Sequence, residues 1–454
     1  MIGVSLSRWT MSYFAIALVA LLGAELLMVI GFGFPSQEIA APQTLVLVHL
    51  IAIGWLSLLL SGALIQFVPV LVAKSLAYPD LPVVALALLV AGLTSMLIGF
   101  LALAGFSVGP IPWLPLGAIS VTAGFLLNLW NLGRTLWSAR PIGLPARFVT
   151  VGLVSLVGVI TLGTIFSFAL SGWTTNPNLI HLTAQGIPLH AALGLGGWFT
   201  LTAMGVSYRL LAMFMLSPEV EHRTSQIALM AGAAAILVIL IGGPVCLLIL
   251  GQGVAHPLLL ALALGTISLV LYGRDVVGLY RTRKRPKIEL NSRMAAWALG
   301  GLGLATLLLL VLTVFGEIGR FAGAVVFLFA FGWLTGLGLA KLYKIVAFLT
   351  WLECYGDLLG KRPTPRVQDL VNEPRAIRWF WLYFASVGAA SIAAFLSAPF
   401  AFRIAALGIL LATARICVEL VSIRTLRSVP ASMLPDSDHA RPGLLLPDLQ
   451  HSRK

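Results

Sequence analysis

The feature that most constrains this chain is a succession of long apolar runs, each sufficient to cross a bilayer. A spanning helix needs roughly 20 apolar residues. The sequence carries twelve such runs, at about 11–33, 43–72, 82–106, 113–136, 147–171, 186–215, 226–250, 256–280, 293–315, 321–344, 376–398 and 401–424. Only 10% of the residues are charged and 59% are hydrophobic, whereas a soluble domain carries roughly a quarter charged residues. An ordinary soluble enzyme is thereby excluded. Lipid offers no partner to an open sheet edge, and the runs are continuous rather than short and alternating as in a membrane barrel. The expected fold class is all-α: a polytopic membrane protein of about twelve transmembrane helices. No cleavable leader is expected, because the first run is long enough to span and lacks a small-residue cleavage pattern.

The net charge of +13 is explained by where the cations fall. With the N-terminus inside, nearly all Lys and Arg lie in inner segments, and the outer loops keep essentially Arg320 and Arg403. This bias places both termini in the cytoplasm, and the basic loops meet anionic headgroups. The run RTRKRPK at 281–287 follows a span directly, so we read it as a membrane anchor and expect no nucleic-acid partner. The organisation expected is one membrane domain over 1–428. A Pro-, Ser- and Asp-rich cytoplasmic tail over 429–454 is expected to be disordered.

Three segments align without gaps: HLIAIGWLSLLLSGALIQFVPV (49–70), ALGLGGWFTLTAMGVSYRLLAM (192–213) and FLFAFGWLTGLGLAKLYKIVAF (327–348). Each carries Gly-Trp at one position, as Gly54-Trp55, Gly197-Trp198 and Gly332-Trp333. Downstream, Gln66, Arg209 and Lys344 coincide, and Tyr208 coincides with Tyr343. One match would be chance in a chain this rich in Leu, Ala and Gly. Three matches at equal span count predict repeat units at about 11–140, 145–285 and 293–427, with spans two, six and ten equivalent.

Seven histidines are present. His439, His451 and His222 are read as solvated, His256 as interfacial and His181 as part of the outer loop before span six. His49 and His190 remain, each about two turns before the Gly-Trp of its span and in the outer half of the membrane. An ionisable residue at such depth is a functional candidate, and neutral imidazole ligates haem iron, copper or zinc. Both readings stay open for each: metal or cofactor ligand, or hydrogen-bonded structural histidine. The other buried polar groups expected are Glu25 in span one, Asn128 and Asn131 in span four, and Arg415 with Glu419 in span twelve. The last two are four apart and expected to pair, with a proton path as the alternative. Arg209 and Lys344 are expected to snorkel to the inner headgroups. Three scattered cysteines make neither a disulfide frame nor a metal site. No phosphate-cradling loop, HExxH, CxxC or GxSxG motif occurs.

Taken together, the plan resembles the catalytic subunit (subunit I) of haem-copper oxidases, a superfamily that includes cbb3-type cytochrome oxidases and nitric oxide reductases. The stretches HLIAIGWLSLLLSGALIQFVPVL and HAALGLGGWFTLTAMGVSYRLLAMFML look like bacterial membrane proteins related to it, including haem- and copper-containing proteins linked to nitric oxide metabolism. The resemblance covers about 400 residues in architecture and rests on short stretches in motif. It implies that His49 takes the place of a low-spin haem ligand and His190 stands near that of a copper ligand. The family's histidines in spans seven and ten have no counterpart here, so its copper site is not expected. Haem on His49, with or without His190, a metal ion there, or a scaffold without cofactor are the outcomes left open. The first implies a divergent protein of the bacterial inner membrane in respiratory electron transfer or nitric oxide response, with a redox partner or oxidase-type subunits. The last implies a transporter or assembly factor. Independently of these, Ser107→Cys and Ser138→Cys are expected to react with an impermeant thiol reagent from opposite sides of the membrane. Labelling from one side would break the span count.

Overall fold

A computed structural model describes residues 9–220, 222–361, 363–435, 442 and 444–445. Among these there is no strand. Twelve helices are long and apolar enough to cross a membrane: α1 Thr10–Ile30, α2 Pro42–Val72, α3 Leu81–Leu103, α4 Trp113–Ser138, α5 Leu144–Leu170, α6 Pro177–Met215, α7 Arg223–Leu248, α8 Ala255–Arg281, α9 Leu290–Val314, α10 Ile318–Leu358, α11 Glu373–Phe395 and α12 Pro399–Arg424. Most of the expected boundaries hold within three or four residues, and two do not. Helix α6 begins at Pro177 rather than near 186, so His181 is an exposed helical residue and not a loop residue. Its start is set by local chemistry: the Asn176 side chain accepts from the Asn178 backbone N–H, and Pro177 occupies the first helical position, where a missing N–H costs nothing. Helix α10 runs well past 344, because the Lys344 charge is taken up by Glu289 at 2.8 Å and so does not mark the membrane edge. Lys344 is 12% exposed and does not snorkel. The tail expectation at 436–441, 443 and 446–454, with His439 and His451, lies outside the described residues. Before it, the Tyr355 hydroxyl donates to the Met433 carbonyl.

The chain divides into two compact units. One comprises Ala63–Lys287 and the other Leu6–Gly62 with Ile288–Lys454. In the first, α3 and α4 pack most closely. Gly92 on α3 meets Gly117 on α4, and seven positions on along each helix Gly99 fits against Leu114 and Gly124 against Leu89. A Cβ on Gly117 would stand 2.6 Å from the Met96 backbone nitrogen, and one on Gly92 2.6 Å from that of Val121. Lipid supplies no hydrophobic drive between helices, so close approach over small residues is what holds such a pair. In the second unit the same device brings α9 onto α10, where a Cβ on Gly301 would stand 2.9 Å from the Gly332 carbonyl oxygen.

The three repeated spans share one further property. Each departs from α-helical bonding over the Gly-Trp, becoming π-helical at Leu50–Ser57 in α2, Leu193–Leu201 in α6 and Leu328–Thr335 in α10. The sequence repeat is therefore a repeat of backbone geometry. Helices α10, α2 and α6 are also the most enclosed, with 72%, 56% and 56% of their apolar windows buried against 22% for α8 and α9. Outside, exposed tryptophans such as Trp130, Trp137 and Trp297 sit near the basic loop ends, as interfacial aromatics do.

Gly117→Ala should lower unfolding stability by about 1–3 kcal/mol through overpacking. Gly133→Ala on the same helix, where a Cβ meets nothing, should be neutral or stabilising by up to about 1 kcal/mol. Thermal unfolding of both variants in detergent checks the pair.

Candidate functional site

Each of the three repeated π turns carries a buried tryptophan. Trp55, Trp198 and Trp333 are 0%, 2% and 0% exposed. In a π turn the carbonyls shift out of the regular ladder, and such turns collect at functional positions. Here the shifted carbonyls find side-chain partners. Ser155 of α5 donates to the Leu193 carbonyl at 2.9 Å, and Tyr383 of α11 donates to the Phe331 carbonyl at 2.8 Å. The Trp55 indole donates to Thr335 on α10 at 2.9 Å. In α6 the glycine before the tryptophan makes room for the neighbouring helix. At Gly197 a Cβ would fall 1.9 Å from the Ser155 hydroxyl oxygen.

His49 is the residue directly before the first π turn and is half-buried. Its Nδ1 lies 2.8 Å from the Leu45 carbonyl. A carbonyl can only accept, so Nδ1 carries the hydrogen and Nε2 is the acceptor nitrogen. Metal-binding imidazoles are commonly fixed in this way by a backbone carbonyl. His190 belongs to the other unit. Its half-buried ring packs on Phe166, with centroids 5.7 Å apart, and its edge fits over Gly163, where a Cβ would come within 3.2 Å of Cε1. His222 starts α7, with its carbonyl accepting from Ser225, and His256 is exposed in the first turn of α8.

The candidate ligands of the three repeated spans are few. His49 has its ring oriented by the Leu45 carbonyl. Among the described residues, no group of three or more His, Cys, Asp or Glu is placed to hold a metal ion, and neither α7 nor α10 contains a histidine.

The polar residues of span twelve depart from expectation: Arg415 is exposed, not buried. Arg415 and Glu419 do not pair. Glu419, 3% exposed, takes a two-bond fork from Arg375 of α11, Nε and one terminal nitrogen each at 2.7 Å. Arg415 instead lies over the Trp379 ring, 4.8 Å from its centroid. A planar guanidinium matching both carboxylate oxygens outweighs a same-helix contact worth a few tenths of a kcal/mol. Arg209 is paired with Glu219 and partly exposed, and Gln66 is buried.

The structure also gives residues singled out in the sequence, such as Asn131 and Glu419, partners that the sequence did not, among them Tyr78, Asp275 and Arg375. In each repeat, a buried polar residue about two turns or less from the basic end of the fourth helix ties down the start of the third. Asn131 of α4 exchanges two hydrogen bonds with the Tyr78 backbone just before α3, at 2.9 and 2.8 Å. Asp275 of α8 accepts from Thr224 of α7 at 3.0 Å and from Tyr208 of α6 at 2.9 Å. Glu419 of α12 holds Arg375 of α11. The signal was present in the repeat, since Tyr208 and Tyr343 coincide, but the partners differ in residue type. Arg424, 5% exposed, adds a pair with Glu353 at 2.7 Å.

With this geometry in view, no protein-family model matches the sequence, and no curated protein matches it either.

Arg375→Ala leaves the Glu419 carboxylate buried without its fork. It should cost about 3 kcal/mol, the low end for breaking a buried pair, because the guanidinium is 40% exposed. Arg415→Ala should cost about 0.5–1 kcal/mol, the loss of one stacked cation. Equal losses in denaturation of the two variants would contradict this partner assignment.

Proposed function

We propose that this is a multi-pass protein of the bacterial cytoplasmic membrane with both termini inside. On this reading it is a divergent relative of the haem-copper oxidase catalytic subunit, holds one haem through His49, and lacks the copper centre. Its role is respiratory electron transfer or nitric oxide response, beside a redox partner or oxidase-type subunits. The single observation that carries this is His49 itself: an imidazole at the lip of a π turn, in one of three equivalent spans, with Nδ1 given to the Leu45 carbonyl at 2.8 Å. That bond sets the tautomer and orients Nε2 as the nitrogen that would take the iron. Haem, when bound, supplies an iron that passes single electrons or binds a diatomic gas. The chain's part is to orient the ligand and keep water out, which the buried Trp55 and the apolar turn around it serve.

A second reading, a transporter or assembly factor without cofactor, draws on α7. That span is interrupted by a further π turn at Val238–Gly242 and a short Gly243–Leu248 helix opening with Gly243-Pro244. Discontinuous spans are a transporter device. It predicts substrate-dependent flux or a stable partner complex, and indifference to loss of His49.

Absorption spectra of the purified protein, oxidised and reduced after haem-sufficient expression, separate the two. The haem reading expects a Soret band that His49→Ala abolishes or shifts, and His190→Ala provides the comparison. A colourless, metal-free protein would sink it.

A further inference from the structure

Glu25 lies in α1, five residues before its end at Ile30, and is 0% exposed. One carboxyl oxygen accepts from the Thr413 hydroxyl of α12 at 2.8 Å. The other, Oε2, is buried and has no hydrogen-bond partner. No Lys, Arg or His among the described residues forms an ion pair with it. Helix α1 packs on α12 and on the π turn of α2, and every charged group on those elements is committed elsewhere. On α12, Arg403 donates to the Val29 carbonyl, Arg415 lies over Trp379, Glu419 holds Arg375 and Arg424 holds Glu353. The π turn Leu50–Ser57 holds no titratable side chain, and His49 just before it donates to the Leu45 carbonyl. The groups within electrostatic reach of Glu25 are the Cys417 thiol and the Tyr383 phenol, and the phenol already donates to the Phe331 carbonyl.

A carboxyl held in a membrane interior with one oxygen unsatisfied is costly unless a positive species meets it. Metal cations of the hard type need about six oxygen ligands. Here the hydrogen-bond partner is one hydroxyl, and it points its hydrogen at the carboxyl. The species that fits is the proton, which needs one oxygen and no coordination shell. From this we propose that Glu25 is an intramembrane proton-binding site, taking and releasing a single proton at Oε2 while Thr413 holds Oε1. The site is separate from the haem reading and stands whether or not His49 carries iron.

The test uses the full chain reconstituted in lipid. Infrared spectra taken from acid to alkaline pH should contain a carboxylic-acid carbonyl band that shifts in D₂O, fades as pH rises and is missing in Glu25→Gln. That variant keeps the Thr413 bond through its amide oxygen. In parallel, a lipophilic carbodiimide should add to Glu25, read by peptide mass, while a water-soluble carbodiimide should not. An infrared spectrum in which Glu25→Gln removes no such band overturns the proposal, whatever the labelling gives. If the variant does not fold, labelling of the unmodified chain decides. A Glu25 adduct that diminishes at alkaline pH supports the site, and its absence at every pH overturns it.

Discussion

The constraint on which everything else depends is that lipid hydrogen-bonds nothing, so each backbone group that leaves the helical ladder must find a partner inside the protein. The three repeated π turns are places where this chain gives up ladder bonds, and each lies on an enclosed span around a tryptophan with almost no exposure. Ser155 and Tyr383 receive displaced carbonyls. At Gly197 the missing side chain leaves room for Ser155 of the neighbouring helix. A widened turn, a buried indole and a missing Cβ thus form one structural element used three times.

The second recurring element, the polar tie at the basic ends, preserves a position and changes its chemistry. Asn131 uses an amide against backbone, Asp275 a carboxylate against two hydroxyls, and Glu419 a carboxylate against a guanidinium fork. All three bind the start of one helix to the end of the next. A burial site near the membrane edge tolerates any of these provided that the donors and acceptors are matched.

Most of the fold was legible because bilayer thickness translates directly into run length, and because cations are poor company for lipid. The rule failed where a cation is neutralised. Lys344 ended the apolar run in the sequence, yet Glu289, on the far side of a loop, lets α10 continue for another fourteen residues to Leu358. It failed again at α6, where polar His181 and Gln185 lie exposed on a helix whose start is fixed by Asn176 and Pro177. The Arg415–Glu419 spacing was correct for a pair on one helix, but spacing carries no information about Arg375, 44 residues away, whose fork offers two bonds. Buried Lys341 was missed because a lysine near the end of a run reads as a border residue. His49 and Glu25 were legible for the opposite reason: ionisable side chains deep in apolar runs have no bland surface explanation.

On the reading proposed above, a haem-copper-like plan without histidines in spans seven and ten would take iron at His49 and not copper. His49 keeps an oriented imidazole, while the described residues offer no metal-holding cluster. The measurement that tests this most directly is elemental analysis of the purified chain, paired with extraction and quantification of haem. The account predicts iron equimolar with the chain, all of it as haem, and no copper. Copper in step with iron, or a chain holding neither, would contradict it.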